Sequence, residues 1–540
     1  MTPPTVMCGG ADHRTMADRR ALAAAVVGFA AVATAPLAGL SVAGQYALAT
    51  AAFAGTLWVT GGLPLPITAL TVPVLLLAFG VVPGAEAALA GFADPVVALL
   101  LAGFVLAEAL RKHGTDRRIA YRVLAAVGTS PRRIVLAVMV ATAGLSMVIS
   151  NTATTAMMVP VALGIADRVE GERTRPDATA DEDATAGEGE DEDRTEADRE
   201  RSNFRLALLL GVAYAASIGG VGTIIGTPPN AIVVSQLAER IDYTITFVDW
   251  LAIGLPFVAV GLPLTWYLLA VVVYPPEAAD ASAARAEAAR YLRETGPPSA
   301  AERRVIAVVA ATAALWLLGG LDFLLDDALP PRVYATLFGG TGHLFGAGAH
   351  QGLLYFVTVG LAAVPALAVV GGIEWDDVQR IDWGTIVLLG GGISLANALG
   401  RTDATRWLAE GVVESVAGSP VLLVALAIAA VTVAASEVAL NTAMAAVSVP
   451  VLISLGPEYA GSLGSSPAVA SVFLAVTGGV AASFGFALPV ATPPNAIAFG
   501  TGEMTERDML RPGLLLDVAM VVVTAVLSFL IFAVVWPVVA

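Results

Sequence analysis

Ser150-Asn151-Thr152, followed downstream by Gly226-Thr227-Pro228-Pro229-Asn230-Ala231-Ile232, has a second copy in Leu440-Asn441-Thr442, followed by Ala491-Thr492-Pro493-Pro494-Asn495-Ala496-Ile497. In both copies the Asn-Thr pair leads into an apolar stretch ending in Val-Pro, at Val159-Pro160 and Val449-Pro450. Asn151 and Asn230 are 79 residues apart, Asn441 and Asn495 only 54, and an acidic insert in the first interval accounts for most of the difference. Hydrogen-bonding, helix-breaking residues inside membrane-length apolar segments, at matching places in two halves, mark a binding site near the midplane of a transporter.

The rest of the composition agrees. The chain has 540 residues, 57% of them hydrophobic, with a mean hydropathy of +0.78, far outside the soluble range. Apolar runs recur at 21–40, 45–60, 64–82, 134–149, 204–218, 251–274, 304–320, 351–371, 419–435, 467–482 and 513–539. About 20 apolar residues cross a bilayer, so the runs predict an all-α polytopic membrane protein with about eleven spans. The residues before Ala21 are polar, with Arg14, Arg19 and Arg20, and no clean cleavage site follows, so 1–20 reads as a cytoplasmic tail rather than a removable signal.

Cys8, the only cysteine, lies in that tail and excludes an intrachain disulfide or a thiolate metal cluster. The four histidines (His13, His113, His343, His350) have no metal-ligand spacing. Neither a His-Glu-x-x-His, a Gly-x-Ser-x-Gly nor a P-loop occurs, which argues against a membrane-embedded enzyme or an ATP-driven pump.

Charge sits in the connections. From Glu170 to Arg201 there are 14 acidic and 5 basic residues, a net −9 of the chain's −16. The loop 168–203 reads as a solvated, disordered insert. A single lysine, Lys112, stands among the chain's 29 basic residues, a composition suited to a salty cytoplasm. A second connection, 275–304, is predicted to hold a surface helix around 281–293. Arginines cluster at Arg111–Arg122, Arg132–Arg133 and Arg303–Arg304 and belong in the cytoplasm by the positive-inside tendency.

The repetition extends beyond the motifs. Phe92-Ala-Asp-Pro95 to Arg111 parallels Ile381-Asp-Trp-Gly-Thr to Arg401, each about 20 residues, glycine-bearing and opened by a polar or Pro/Gly element. Both, at 92–112 and 381–401, are expected to be re-entrant hairpins, since irregular backbone at that depth survives only in protein or beside a wet cavity. An odd number of spans between the copies would invert one repeat relative to the other. The expected order is scaffold helices at 21–91, a first repeat at 92–274, the connection at 275–304, middle scaffold helices at 305–371 and a second repeat at 381–540.

These residue types suit ions at a helix break. Freed carbonyls are oxygen ligands for a cation, while the amides at the start of the next helix suit an anion. Ser, Asn and Thr add neutral donors and acceptors without burying charge, and paired prolines remove donors and stop the helix. Two acids stand out inside the apolar segments: Glu437, four residues before Asn441, with cation tuning and structural hydrogen bonding both open, and Glu108, expected to pair with Arg111.

With Ser146 through Thr152, Gly219-Gly220 through Asn230, Ser436-Glu437-Val-Ala439-Leu440-Asn441-Thr442 and Leu488 through Ile497, the chain resembles the divalent anion/sodium symporter family over nearly its full length. The resemblance implies a homodimer, eleven transmembrane helices and two re-entrant hairpins per protomer, an inverted repeat, and an elevator mechanism in which a transport domain moves against a scaffold. It implies a first sodium site at Ser146, Ser150, Asn151 and Gly226 and a second at Ser436, Ala439, Asn441 and Ala491. Substrate would meet Ser150, Asn151, Thr152, Asn441, Thr442, Thr492 and Pro493. The implied function is sodium-coupled symport of a divalent anion across the cell membrane, with no cofactor beyond sodium and no nucleic-acid partner. A C4-dicarboxylate such as succinate, malate or fumarate suits two facing breaks; dicarboxylate exchange and sodium/sulfate symport are the alternatives. One departure stands out: the second motif has Leu440 where the family has Ser.

Overall fold

A computed structural model describes residues 19–126, 128–173, 202–276, 282–341, 350–416 and 418–536. The N-terminal tail up to residue 18 and most of the acidic insert lie outside them. Among the described residues the structure is helical, without a named strand. Seven helices are long and apolar enough to cross a membrane, and four shorter apolar helices accompany them.

Seven elements recur in the same order. Helices Pro95–Lys112, Thr115–Ala126, Pro131–Ser146, Asn151–Arg173, Asn203–Gly220, Pro228–Ile241 and Phe247–Tyr267 are matched by Trp383–Arg401, Ala404–Val416, Val421–Ser436, Asn441–Leu455, Pro467–Ala481, Pro493–Phe499 and Glu506–Leu530. In each set the fifth helix is the hub. Every side chain of Asn203–Gly220 from Leu206 onward is buried, and Pro467–Ala481 is buried from Ala470 onward. A helix apolar on all sides is a core element. Small residues permit close approach: a Cβ on Gly219 would collide with the backbone of Ala143.

The sixth helices cross over. Pro228–Ile241 packs against Asn441–Leu455 and Pro467–Ala481 of the second set, while Pro493–Phe499 packs against Asn203–Gly220 and Asn151–Arg173 of the first. This exchange carries each Thr-Pro-Pro-Asn turn to the other set's hub. Outside the sets, Leu65–Ala78 packs on Trp383–Arg401, and Phe356–Val369 on Pro95–Lys112.

Neither segment expected to be a hairpin turns back within its bounds, and each is followed by a tight turn into a further helix, Thr115–Ala126 or Ala404–Val416. A short 3-10 turn, Ala90–Ala93, leads into Pro95–Lys112, which runs unbroken, as does Trp383–Arg401. Asp94 caps the first, accepting from Val96 N at 2.8 Å, with Pro95 at the first helical position. The glycines that looked like breaks serve packing: Gly390 lies against Phe92 and Gly391 against Ala69, with no room for a Cβ at either. The chain interrupts its helices at the Asn-Thr motifs instead. Pro131–Ser146 and Asn151–Arg173 are separated by four residues, Val421–Ser436 and Asn441–Leu455 by another four.

The predicted surface helix is present as Ser282–Thr295. It buries Ala284 and Ala288 against the Thr115 and Asn151 helices, stacks Tyr291 on Tyr121 with centroids 4.1 Å apart, and pairs Glu287 with Arg168 at 2.7 Å.

Candidate functional site

The two interruptions share one construction. In the first, Ile149 N donates to Leu145 O at 2.8 Å and the next helix restarts with Thr154 N to Ser150 O at 2.9 Å. In the second, Ala439 N donates to Ala435 O at 2.9 Å, and Met444 N to Leu440 O at 3.0 Å. They differ at the cap. Ser150 Oγ accepts a long bond from Ala153 N, 3.4 Å, whereas Leu440, with an extended backbone, makes no side-chain bond. The Asn441 helix therefore starts with its first amides unpaired by a cap.

The Thr-Pro-Pro-Asn turns are equally alike. Asn230 Nδ2 donates to the carbonyls of Gly220, Val221 and Thr223 at 3.0, 3.3 and 2.7 Å. Asn495 Nδ2 donates to those of Gly485 and Leu488, both at 3.0 Å. Each asparagine ties the loop after the hub helix to the start of the following one. The prolines leave that start without donors to spare.

These elements meet around one cavity of about 330 Å3. Ser150, Asn151, Thr152, Asn441, Thr442, Thr492 and Pro493, all the residues expected to meet substrate, line it together with Gly226 and Leu440. The opposite wall is Leu65, Pro66, Phe104, Asp382, Thr385 and Leu388, from helices outside the motifs, which the sequence reading did not place there. Asp382 is the only charged residue in the lining. Both its oxygens are engaged at the start of its own helix, by Thr385 N at 3.0 Å and Thr385 Oγ1 at 2.6 Å.

Behind the first motif four oxygens converge. Ser146 Oγ lies 2.6 Å from Asn151 Oδ1 and 2.7 Å from Ala216 O, yet a hydroxyl has one proton to share. With its oxygen inward the Asn151 amide faces only acceptors. With its nitrogen inward it donates to Ser146 Oγ at 2.6 Å, Ala216 O at 3.0 Å and Gly226 O at 3.3 Å. An oxygen cluster short of protons is satisfied by an inward amide nitrogen or by a cation. Ser146, Asn151 and Gly226 are thus brought together as expected, and Ala216 joins them. The backbone must be bare here: a Cβ on Gly220 would overlap the Asn151 amide, and one on Gly226 the carbonyl of Gly220.

Behind the second motif the arrangement is looser. Ser436 Oγ donates to Ala482 O at 3.3 Å, the Ser436 carbonyl and Ala491 flank Gly485, and Asn441 Oδ1 is buried without a donor. Ala439 is buried just before the break. Glu437 takes the structural role: its carboxylate accepts from Ala487 N at 2.9 Å and Leu488 N at 2.8 Å. Asp517 takes the preceding amide, Phe486 N, at 3.1 Å. Three consecutive amides of the hub loop are thereby stapled by two acids. The first repeat has a neutral substitute, the Thr223 hydroxyl donating to Met147 O. Asp517 carried the same signal as Glu437, an acid inside the apolar run 513–539, but no spacing in the sequence pairs the two.

Glu108 pairs with Arg111 as expected, at 2.7 and 2.5 Å. No group of three or more metal-ligating side chains occurs among the described residues.

Comparison with known proteins places this architecture. The family model for the sodium:sulfate symporter transmembrane region matches residues 17–539. An uncharacterized transporter of Haemophilus influenzae is 34% identical over 485 residues, covering 89% of this chain and 91% of the relative. The sodium-dependent dicarboxylate transporter SdcS of Staphylococcus saprophyticus is 30% identical over 499 residues, 91% of this chain and 87% of its own. Among solved structures, the Alcanivorax borkumensis YdaH transporter matches with a TM-score of 0.46 and 15% identity, over 83% of this chain and 88% of that one. With the family model spanning the paired motifs from end to end, the chain is a membrane transporter, not an enzyme, and belongs to the sodium:sulfate symporter family of divalent anion transporters.

Proposed function

We propose that the protein is a sodium-coupled symporter of a C4-dicarboxylate such as succinate, malate or fumarate. The single observation that carries the coupling is the charge of the cavity. Its lining has no arginine or lysine and one aspartate, so a dianion held there needs positive charge from elsewhere. Leaving that charge uncompensated away from water is prohibitively costly. Sodium would be held at Ser146, Ser150, Asn151 and Gly226, where the oxygens of Ser146, Asn151 and Gly226 converge, and at Ser436, Ala439, Asn441 and Ala491, where Asn441 Oδ1 is buried without a partner. The name of the Staphylococcus relative, a sodium-dependent dicarboxylate transporter, supports the same reading.

Substrate preference follows from shape. The Asn151 and Asn441 helices both start at the cavity, and each start offers unpaired amides and a positive dipole end. Two separated anion-binding ends suit an elongated molecule with a carboxylate at each end better than a compact sulfate. The cycle we infer is an elevator. The two motif-bearing helix pairs, with their hubs and crossed-over turns, form the moving body of an inverted repeat, sliding against scaffold helices held by a homodimer. The arginine-rich connections, and the N-terminus with them, lie on the cytoplasmic side.

Thermal unfolding tests this directly, because a ligand that binds only the folded state raises the melting temperature. Succinate, malate, fumarate, citrate and sulfate are each added with sodium and with choline. C4-dicarboxylates should stabilise only with sodium. Stabilisation by sulfate alone would make the protein a sulfate symporter, and sodium-independent stabilisation by dicarboxylates would favour exchange.

A further inference from the structure

A second cavity of about 330 Å3 adjoins the first and shares Phe104, Ser150, Thr152 and Asp382 with it. It runs outward past the start of the Asn151 helix to Glu108, Arg111 and Arg380. The binding cavity lacks fixed positive charge, so these two arginines are the first an anion meets along this path.

The two are not equally available. Arg111 is forked onto Glu108, Nε to Oε2 at 2.7 Å and Nη2 to Oε1 at 2.5 Å, which spends one edge of its guanidinium. Arg380 has only a loose approach to Asp377, at 3.7 Å, and its side chain is 64% exposed. Asp377 is committed elsewhere, to Lys112 Nζ at 2.6 Å and Glu374 N at 2.8 Å. Asp382, the other acid in this lining, is occupied by Thr385. Glu108 and Asp377 are paired with closer cations and Asp382 keeps its charge on a hydroxyl and an amide, while Arg380 is the one arginine of this lining without a close carboxylate partner.

We propose that Arg380, with the outer edge of Arg111, forms a transient carboxylate-binding station at one mouth of the substrate path. It would capture a dicarboxylate by one end and deliver it to the Ser150–Thr152 helix start. An exposed guanidinium without a close carboxylate partner can take an incoming carboxylate in a two-bond, charge-assisted fork. Because the site is open to water, the attraction is weak and screened by salt over about 8–10 Å at physiological ionic strength. A carrier gains from such a station, since a tight second site would trap the substrate. The inference rests on the dicarboxylate-transport reading and adds the residues that steer the substrate.

The test compares wild type with Arg380→Gln, Arg380→Lys and Arg380→Glu in membrane vesicles of both orientations. Sodium-dependent succinate flux below saturation is measured from each face, at constant sodium and with low or high choline chloride. For substrate starting on the Arg380 face at low salt, Arg380→Gln should lower the rate about three- to fivefold. Arg380→Glu should lower it further, and Arg380→Lys should retain most of it. The loss should fade at high salt and be absent from the other face, and succinate should still stabilise the purified variants as it does wild type. Unchanged flux from the Arg380 face at low salt would overturn the station. So would an equal loss from both faces accompanied by lost stabilisation, which marks a structural defect. Absence of sodium-dependent succinate flux in wild type would count against the transport reading itself, and the inference would fall with it.

Discussion

Ser146 and Asn151 meet in a cluster of acceptors that either an inward Asn151 amide nitrogen or a bound cation satisfies, and transport measurements on variants distinguish the two. Ser146→Ala removes one oxygen and should raise the sodium concentration needed for half-maximal transport, with little change in succinate affinity at saturating sodium. Equal sodium dependence in this variant and wild type would show that the cluster is not a cation site. Leu440 poses the complementary question. Without a side-chain cap the Asn441 helix begins less favourably, and Leu440→Ser should add about 0.5–2 kcal/mol of stability, read by denaturant unfolding. It also restores a hydroxyl beside the cavity, so Leu440→Ser should tighten succinate binding while Asn441→Ala weakens it. Gly226→Ala should be poorly tolerated, because its Cβ would strike the Gly220 carbonyl. Such overpacking costs about 1–3 kcal/mol or more, and a lowered melting temperature would report it.

At the scale of elements, the staple at Glu437 is the clearest asymmetry between the repeats. Its carboxylate satisfies two amides of the Gly485–Leu488 loop, so Glu437→Ala leaves two buried donors unpaired. A loss of about 1–3 kcal/mol per unsatisfied group is expected, with Glu437→Gln less damaging because its carbonyl still accepts one of them. A variant as stable as wild type would refute the structural role. The acidic insert is expected to matter far less. Replacing Asp177–Asp198 with a short Gly/Ser linker should leave transport within about twofold, since closure entropy changes slowly with loop length. A collapse of transport with normal membrane expression would show the insert to be functional. The breaks at Asn151 and Asn441 were legible in sequence because Asn-Thr and Pro-Pro interrupt apolar runs at matched places. The glycines within 92–112 and 381–401 do not mark a turn, for a physical reason. Glycine inside a helix signals either a break or a close packing partner, and only the neighbouring chain, here Phe92 and Ala69, distinguishes them.

At the scale of the whole molecule, seven matched elements and two crossed-over turns bring distant motifs to one cavity. Every residue expected to meet substrate lies in the lining of that one cavity, because all of them sit on the repeated motifs. The sequence reading missed the wall formed by Leu65, Pro66, Phe104, Asp382 and Thr385: Phe104, Asp382 and Thr385 lie in the repeated segments 92–112 and 381–401, but nothing in their spacing says that those segments face the motifs. It likewise missed Asp517, which is defined only by the three-dimensional approach of its helix to the loop after Ala481. The central claim is that cations supply the charge the cavity lacks. The most direct measurement is succinate uptake into proteoliposomes with an inward sodium gradient against an equal choline gradient. Uptake driven by sodium and abolished with choline is the predicted result; equal uptake in both would contradict the account.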